Sequence, residues 1–395
     1  MNDLKGSIDL LFFIWIGLGL IVFGTPALYF VYMRRISSKP WNLEIDSTYQ
    51  PSVSIIVPVY NEGRIIQYKL RNLASLDYPK ALMQLIVVDS ASSDDSAKQI
   101  EEFKAKNNDL DITVITESER RGKSRALNLA LQHSKGQVVI VSDTDCFWPR
   151  DMLKKALPYL ADERVGAIAG QEKLLNPQQS WVTKTEDVFR ESMFKIQLGE
   201  SKLYSTVQFE GGFGAYERGA LDGFDVETGS DDSGTAFNLV QKGLRTVVLP
   251  QATFYTFFPS TWKGKMTIKV RRTKQLMQIW TKSFGLFLKG RLVLPKRIFL
   301  PSAFLLLVNP ILFAAFVLAS VMLWVQFPLL VSVPLVLLVI PKTRVYLVEI
   351  LQDNLIALLA MIENASRKRS VIWRKAEDSR KDFDVGALKS RGLIS

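Results

Sequence analysis

The chain has 395 residues, 50 Lys and Arg against 39 Asp and Glu, a formal net charge of +11, 48% hydrophobic residues and one cysteine. This composition excludes a disordered chain, a collagen-like chain and a disulfide-stapled secreted domain. A mean hydropathy of +0.10 beside 23% charged residues points to two unlike parts, one membrane-embedded and one polar.

Residues 8–33 form a predominantly apolar run, with Asp9 its one charged residue, followed by Arg34 and Arg35. About 20 apolar residues cross a bilayer core, so this run suffices for a span. It is too long for the apolar region of a cleavable signal peptide and it ends in arginines, so an uncleaved transmembrane anchor is expected. The bias of positive charge to the inner side places Arg34 and the chain beyond it in the cytoplasm.

From residue 51, strands and helices alternate. Val53-Ser-Ile-Ile-Val-Pro-Val59 reads as a buried strand, and a helical pattern runs from Asn61-Glu62-Gly63 to Leu76. Leu85-Ile-Val-Val-Asp89 is a second strand, and Asp94 and Asp95 open a helix to about Lys106. Ile112–Ile115, Lys123–His133 and Val138–Val141 continue as strand, helix and strand. This order predicts an α/β fold with a mostly parallel central sheet covered on both faces. Ligands in such sheets bind beyond the carboxyl ends of the strands, which directs attention to Tyr60, Asn61, Glu62, Asp89, Ser90, Ser92, Asp143, Thr144 and Asp145.

Two nucleotide motifs fail. The place of a Gly-x-Gly-x-x-Gly fingerprint reads Pro58-Val-Tyr-Asn-Glu-Gly63, with one glycine. Gly122-Lys123-Ser124 resembles the end of a phosphate-binding loop, but Glu117 stands where its first glycine belongs. A dehydrogenase and a P-loop ATPase are both demoted.

Asp143-Thr-Asp145 is the sharpest local signal. Two carboxylates one residue apart at a strand end suit Mg²⁺ or Mn²⁺ shared with substrate phosphates; the same residues also read as a polar turn. Asp89 ends a strand where a carboxylate can accept bonds from a nucleoside, or simply cap a helix. Lys123 opens a helix after Arg120 and Arg121, a cluster suited to a diphosphate or to solvent. The single histidine, His133, reads as structural surface, so catalysis by histidine is not expected. One cysteine, Cys146, permits no internal disulfide.

Further on, Phe209-Glu-Gly-Gly-Phe-Gly214 allows close backbone approach to a ligand. Asp231 and Asp232 lie in the first turn of a helix ending near Val240, where a carboxylate is either a cap or a base aimed into the cleft. Residues 261–297 mix Trp, Phe, Lys and Arg at helical spacing and predict amphipathic interfacial helices, with Arg271, Arg272 and Gln275 within them. Residues 298–341 hold two apolar runs meeting at Gln326-Phe327 and predict a transmembrane hairpin. Residues 342–395 hold a segment carrying Glu349 and Asp353, read as an interfacial rather than a transmembrane helix, and then a basic cytoplasmic tail. The net positive charge fits an anionic leaflet or anionic substrates better than a nucleic acid, because no recognition motif accompanies it.

The order of these motifs resembles membrane-anchored family 2 glycosyltransferases such as the cellulose, hyaluronan and poly-N-acetylglucosamine synthases. The resemblance covers residues 51–290. Val57-Pro-Val-Tyr-Asn-Glu62 looks like the family's opening motif, Ile86-Val-Val-Asp89 the strand whose Asp binds the nucleoside, and Gly122-Lys123 with Asn128 the segment after strand three. Asp143-Thr-Asp145 matches the metal-binding motif, and Asp231-Asp232 stands where the catalytic acid pair falls, which makes Asp232 the implied base. The Gln-x-x-Arg-Trp motif of processive members is replaced by Arg271-Arg272-Thr-Lys-Gln275, which leaves processivity open.

The resemblance implies a GT-A-like catalytic domain over residues 51–260 within a multi-pass membrane protein. Pro58, Tyr60, Asn61, Glu62, Asp89, Gly122, Lys123, Asp143, Arg271, Arg272 and Gln275 are the expected donor contacts, and Asp143 and Asp145 the ligands of Mn²⁺ or Mg²⁺. It implies inverting transfer from a nucleoside-diphosphate sugar to a hydroxyl of a glycan or lipid acceptor among membrane lipids, in a chain that could pair with its own copies. The alternatives are sugar transfer to a polyprenyl phosphate and a non-catalytic sugar-nucleotide-binding protein.

Overall fold

The computed structural model describes residues 2–332, 336, 339–365 and 382–394. These form two compact units, a helical one from residues 2–35 and 268–365 and an α/β one from residues 36–267 and 382–394.

The α/β unit is built on one eight-stranded sheet of order β3-β2-β1-β4-β7-β6-β8-β5. Its strands are β1 Val53–Val59, β2 Met83–Asp89, β3 Asp111–Thr116, β4 Val138–Val141, β5 Cys146–Phe147, β6 Val165–Leu174, β7 Gly214–Glu217 and β8 Arg245–Thr256. β1 is buried almost throughout, as expected of a β-branched strand with helices on both faces. One core cluster lies on the face bearing Ile55, Val57, Leu70, Leu85 and Trp148, and a second around Ile56, Ile86, Leu127 and Tyr216.

The first four strands pair in parallel, as the alternation predicts. The sheet as a whole is mixed, not mostly parallel. β7 runs antiparallel to both β4 and β6, and β5 runs antiparallel to β8. The cause is the connection. After the long helix Trp181–Leu203, residues 204–213 carry the chain to the carboxyl edge of β4, so β7 enters with Gly214 opposite Val141. That reversal brings Gly211 and Gly212 beside the residues just past β4.

The register fixes the functional edge. Val59 is level with Asp89, and Ile56 with Val141. The loops after β1, β2 and β4 therefore open on one side of the sheet. Helices α2 Ile66–Ala74, α3 Ser96–Lys106, α4 Lys123–His133, α5 Met152–Ala156, α6 Trp181–Leu203 and α7 Ser233–Gln241 complete the unit.

α1 is one helix, Asn2–Ser37, and α8 is one helix, Trp262–Leu288, where the sequence suggested more than one. Within the helical unit α9 Lys296–Leu307 and α10 Asn309–Trp324 are bent 44° apart, so the run predicted as one arm of a hairpin is broken at Val308, just before Asn309-Pro310. α11 Pro328–Ser332 comes after Gln326-Phe327. Among the described residues one helix, Asp9–Ser37, is by itself long and apolar enough to cross a membrane, and α9 with α10 qualifies only as a bent pair. α12, Pro341–Ala365, holds Glu349 and Asp353 3.7 and 3.4 Å from Lys269. The basic residues Arg367, Lys368, Arg369, Arg374 and Lys375 lie outside the described residues. Past them, α13 Val385–Ser390 belongs to the α/β unit, where Leu388 and Leu393 bury against Phe147 and Phe257.

Candidate active site

Lys123 lies at the middle of the site. Gly122, the residue before α4, adopts φ +101°, a left-handed conformation that strains any other side chain and here sets Lys123 as the first residue of the helix. The Lys123 ammonium bonds the Asp143 carboxylate at 2.7 Å and the Asp231 carboxylate at 2.9 Å. Burial alone lowers a lysine pKa, but Asp143, Asp231 and Asp232 outweigh it and hold Lys123 well above its ordinary value. Asp231 is pushed up to about 6, chiefly by burial and further by Asp232 and Asp143, against the opposing pull of Lys123.

Asp232 is placed differently. It caps α7: its Oδ1 accepts the Ser233 N–H and the Ser230 hydroxyl, both at 2.6 Å. Among the described residues no hydrogen bond reaches its Oδ2. The two residues assigned to the base thus separate into one carboxylate paired with Lys123 and one oriented by a helix terminus.

Asp143 and Asp145 sit just past β4. Their carboxylates and the Cys146 thiol offer ligand atoms within 4.8 Å of one another. Burial and the two aspartates raise the Cys146 thiol well above its ordinary value, so it stays a neutral donor, 3.8 Å from Asp145 Oδ1. The remaining donors are two carboxylates, hard oxygen ligands that fit Mn²⁺ or Mg²⁺. Across the cleft, a Cβ at Gly211 would fall 2.7 Å from Asp143 Oδ2 and 3.0 Å from Lys123 Nζ. The glycine-rich loop does permit a close approach, and the groups approached are Asp143 and Lys123.

The other half of this edge is formed by β1 and β2. Asp89 is 2% exposed, and its Oδ1 is buried with no hydrogen-bond partner among the described residues. A buried acceptor left open asks for a donor from outside the chain. Its other oxygen accepts the Ser92 N–H at 3.3 Å. The Tyr60 ring lies 3.8 Å from the Arg120 guanidinium carbon. Asn61, at φ +53°, and Glu62 tie this loop to the next one, since their N–H groups donate to Ser92 and Ser96. The Pro58 carbonyl accepts the Thr144 hydroxyl at 3.1 Å, linking β1 to the aspartate loop.

Asn128 pairs with the backbone of Phe224 through both ends of its amide, at 2.8 and 2.9 Å, and so anchors the segment leading to Asp231. His133 is exposed at the far end of α4, about 15 Å along the helix from Lys123. Arg271, Arg272 and Gln275 fall on the portion of α8 that belongs to the helical unit.

Two groups escaped the sequence reading. Lys69 on α2 is fully buried beneath the aspartate loop, where it bonds the Ser142 hydroxyl at 2.6 Å and the Cys146 carbonyl. Asn72, one turn on, pairs with Trp148 N–H and C=O and with the Leu393 carbonyl. A signal was present: Ile66, Lys69, Leu70 and Leu73 share helical spacing, which places a lysine on an apolar face.

Residues 54–224 match a family model described as Glycosyl transferase family 2. The chain is 28% identical over 224 residues to Probable glycosyltransferase YdaM of Bacillus subtilis, covering 54% of this chain and 52% of that protein. It is 29% identical over 192 residues to a Beta-monoglucosyldiacylglycerol synthase of Trichormus variabilis, covering 48% and 41%. The chain thus spans about half the length of the curated relatives it matches. Among solved structures, the mannosyltransferase PcManGT from Pyrobaculum calidifontis, in complex with GDP-Man and Mn²⁺, is 30% identical with a TM-score of 0.79, over 91% of this chain and 100% of that one.

Proposed function

The chain belongs to glycosyltransferase family 2, and from that premise we propose that it is a metal-dependent inverting transferase acting on a nucleoside-diphosphate sugar, with GDP-mannose as the first donor to test. The acceptor in this reading is a hydroxyl of a glycan or glycolipid at a membrane. The observation that carries it is the ion chain Asp143–Lys123–Asp231 next to the capped carboxylate of Asp232.

Asp89 Oδ1 accepts a bond from the nucleoside and Tyr60 lines the same edge. Asp143 and Asp145 would hold a divalent cation, which when bound would supply positive charge to the diphosphate leaving group. Lys123 adds a fixed ammonium to that face. Asp232, held by its cap, uses its second oxygen to take the proton from the acceptor hydroxyl. The acceptor oxygen bonds the anomeric carbon as the carbon–oxygen bond to the diphosphate breaks, and the electron pair leaves with the diphosphate. One displacement inverts the centre and needs no enzyme nucleophile. Two adjacent carboxylates favour a neutral hydroxyl over an anionic lipid phosphate, which they would repel.

Membrane attachment through α1 is part of the proposal. Its Leu10, Phe13, Leu20 and Leu28 are 62–73% exposed, an apolar surface that suits lipid. Arg34 and Arg35 at its end favour a cytoplasmic catalytic unit, and the bent α9–α10 pair is the candidate for a second crossing. Arg271, Arg272 and Gln275 take no step in this reading. The direct test is release of nucleoside diphosphate from a panel of sugar nucleotides with Mn²⁺. Absence of turnover with every donor, despite nucleotide binding, would leave the non-catalytic alternative.

A further inference from the structure

Lys69 has no part in the chemistry above, yet it is among the most completely buried polar side chains of the catalytic unit. Burying an amine among apolar groups is costly unless its hydrogens are used. Here they are. One goes to the Ser142 hydroxyl at 2.6 Å, one to the Cys146 carbonyl, and the amine lies 4.6 Å from the centre of the Trp148 ring. Ser142 directly precedes Asp143, and Cys146 is the residue directly after Asp145. The amine therefore grips both ends of the stretch that carries the two carboxylates.

The grip is continued on the other side. The Ser142 hydroxyl lies 3.2 Å from the Gly212 carbonyl, which also accepts the Trp148 indole N–H at 2.8 Å. Asp143 N–H donates to the Gly211 carbonyl at 3.2 Å. Lys69 thus stands at the base of a network that joins α2, the aspartate loop and the strand approach of Gly211-Gly212.

We propose that Lys69 is the positioning residue of the metal site: by bonding the residues on either side of Asp143-Thr144-Asp145, it holds the two carboxylates at the separation a divalent cation requires. It touches neither the cation nor the substrate. Two hydrogen bonds suffice for the role, so an amine performs it as well as an ammonium. The proposal rests on the reading of Asp143 and Asp145 as metal ligands.

Mn²⁺ binding to the full chain, followed by electron paramagnetic resonance of the free ion, separates the two. Lys69→Met keeps the length of the side chain and removes both bonds. Groups that support metal ligands from behind typically change affinity by about 10- to 100-fold, so the Mn²⁺ dissociation constant should rise at least about tenfold in Lys69→Met. GDP binding in EDTA, which depends on the Asp89 edge, should not change. Ser142→Ala removes one of the two bonds without emptying the core and should weaken Mn²⁺ binding several-fold, which keeps the test decisive if Lys69→Met does not fold. A folded variant with lowered Tm but wild-type Mn²⁺ affinity would make Lys69 a packing residue and overturn the proposal. If the unaltered chain takes up no Mn²⁺, the metal reading itself falls and this proposal with it.

Discussion

The ammonium of Lys123 lies 2.7 Å from the Asp143 carboxylate, and Asp231 holds it from the other side. Three charged side chains from α4, the loop after β4 and the approach to α7 thereby meet at one point. In the proposed reaction this pairing keeps an ammonium facing the diphosphate. Lys123→Met should lower kcat/KM by about 10²- to 10³-fold, the usual cost of losing one preorganised group facing developing charge. Steady-state kinetics with circular dichroism checks it. A loss below about threefold would remove Lys123 from the site.

Asp232 and Asp231 are distinguishable by substitution. Asn caps a helix about as well as Asp, so Asp232→Asn should leave Tm and donor binding close to wild type. Transfer to the acceptor should fall by about 10²- to 10⁴-fold. Retained transfer in Asp232→Asn together with its loss in Asp231→Asn would move the base to Asp231.

The raised pKa of Asp231 has a signed effect on stability. Its folded value is about 6 against 3.8 for the ordinary group. Between these values the native state binds more protons than the unfolded chain, so stability falls as pH rises through this window and levels above it. Asp231→Asn should remove that fall, seen as a flatter Tm profile between pH 4 and 6. An unchanged profile would show that Asp231 titrates normally.

Much of this site was legible in the sequence, for identifiable reasons. Strands β1 to β4 are short β-branched runs bounded by turn residues, and their carboxyl ends announced Asp89, Asp143 and Asp145. The limits of α4 come from Gly122 and from the apolar spacing of Ala126, Leu127 and Ala130. The direction of β7 was not legible, because strand polarity depends on where a long connection delivers the chain. The break at Val308, just before Asn309-Pro310, was hidden by uniform hydropathy, although the proline marked it. The role of Lys69 needed the third dimension, since its partners are 73 and 77 residues away.

Gly211 tests the close approach across the cleft. A methyl group there would meet Asp143 Oδ2 at 2.7 Å and Lys123 Nζ at 3.0 Å. Gly211→Ala should therefore disturb the ion pair and reduce kcat/KM by about 10- to 100-fold with a smaller change in Tm, since misplaced catalytic groups cost about that much. Full activity in Gly211→Ala would mean that the loop yields freely.

The proposed role of Asp143 and Asp145 is to serve a divalent cation during sugar transfer, and product release tests it. Nucleoside diphosphate release from the sugar nucleotide accepted in the donor panel is monitored with Mn²⁺, with EDTA, and in Asp145→Asn. Turnover is expected with Mn²⁺, none in EDTA with recovery on adding the metal back, and none in the variant. Undiminished turnover in EDTA, with Asp145→Asn as active as the unaltered chain, would contradict it.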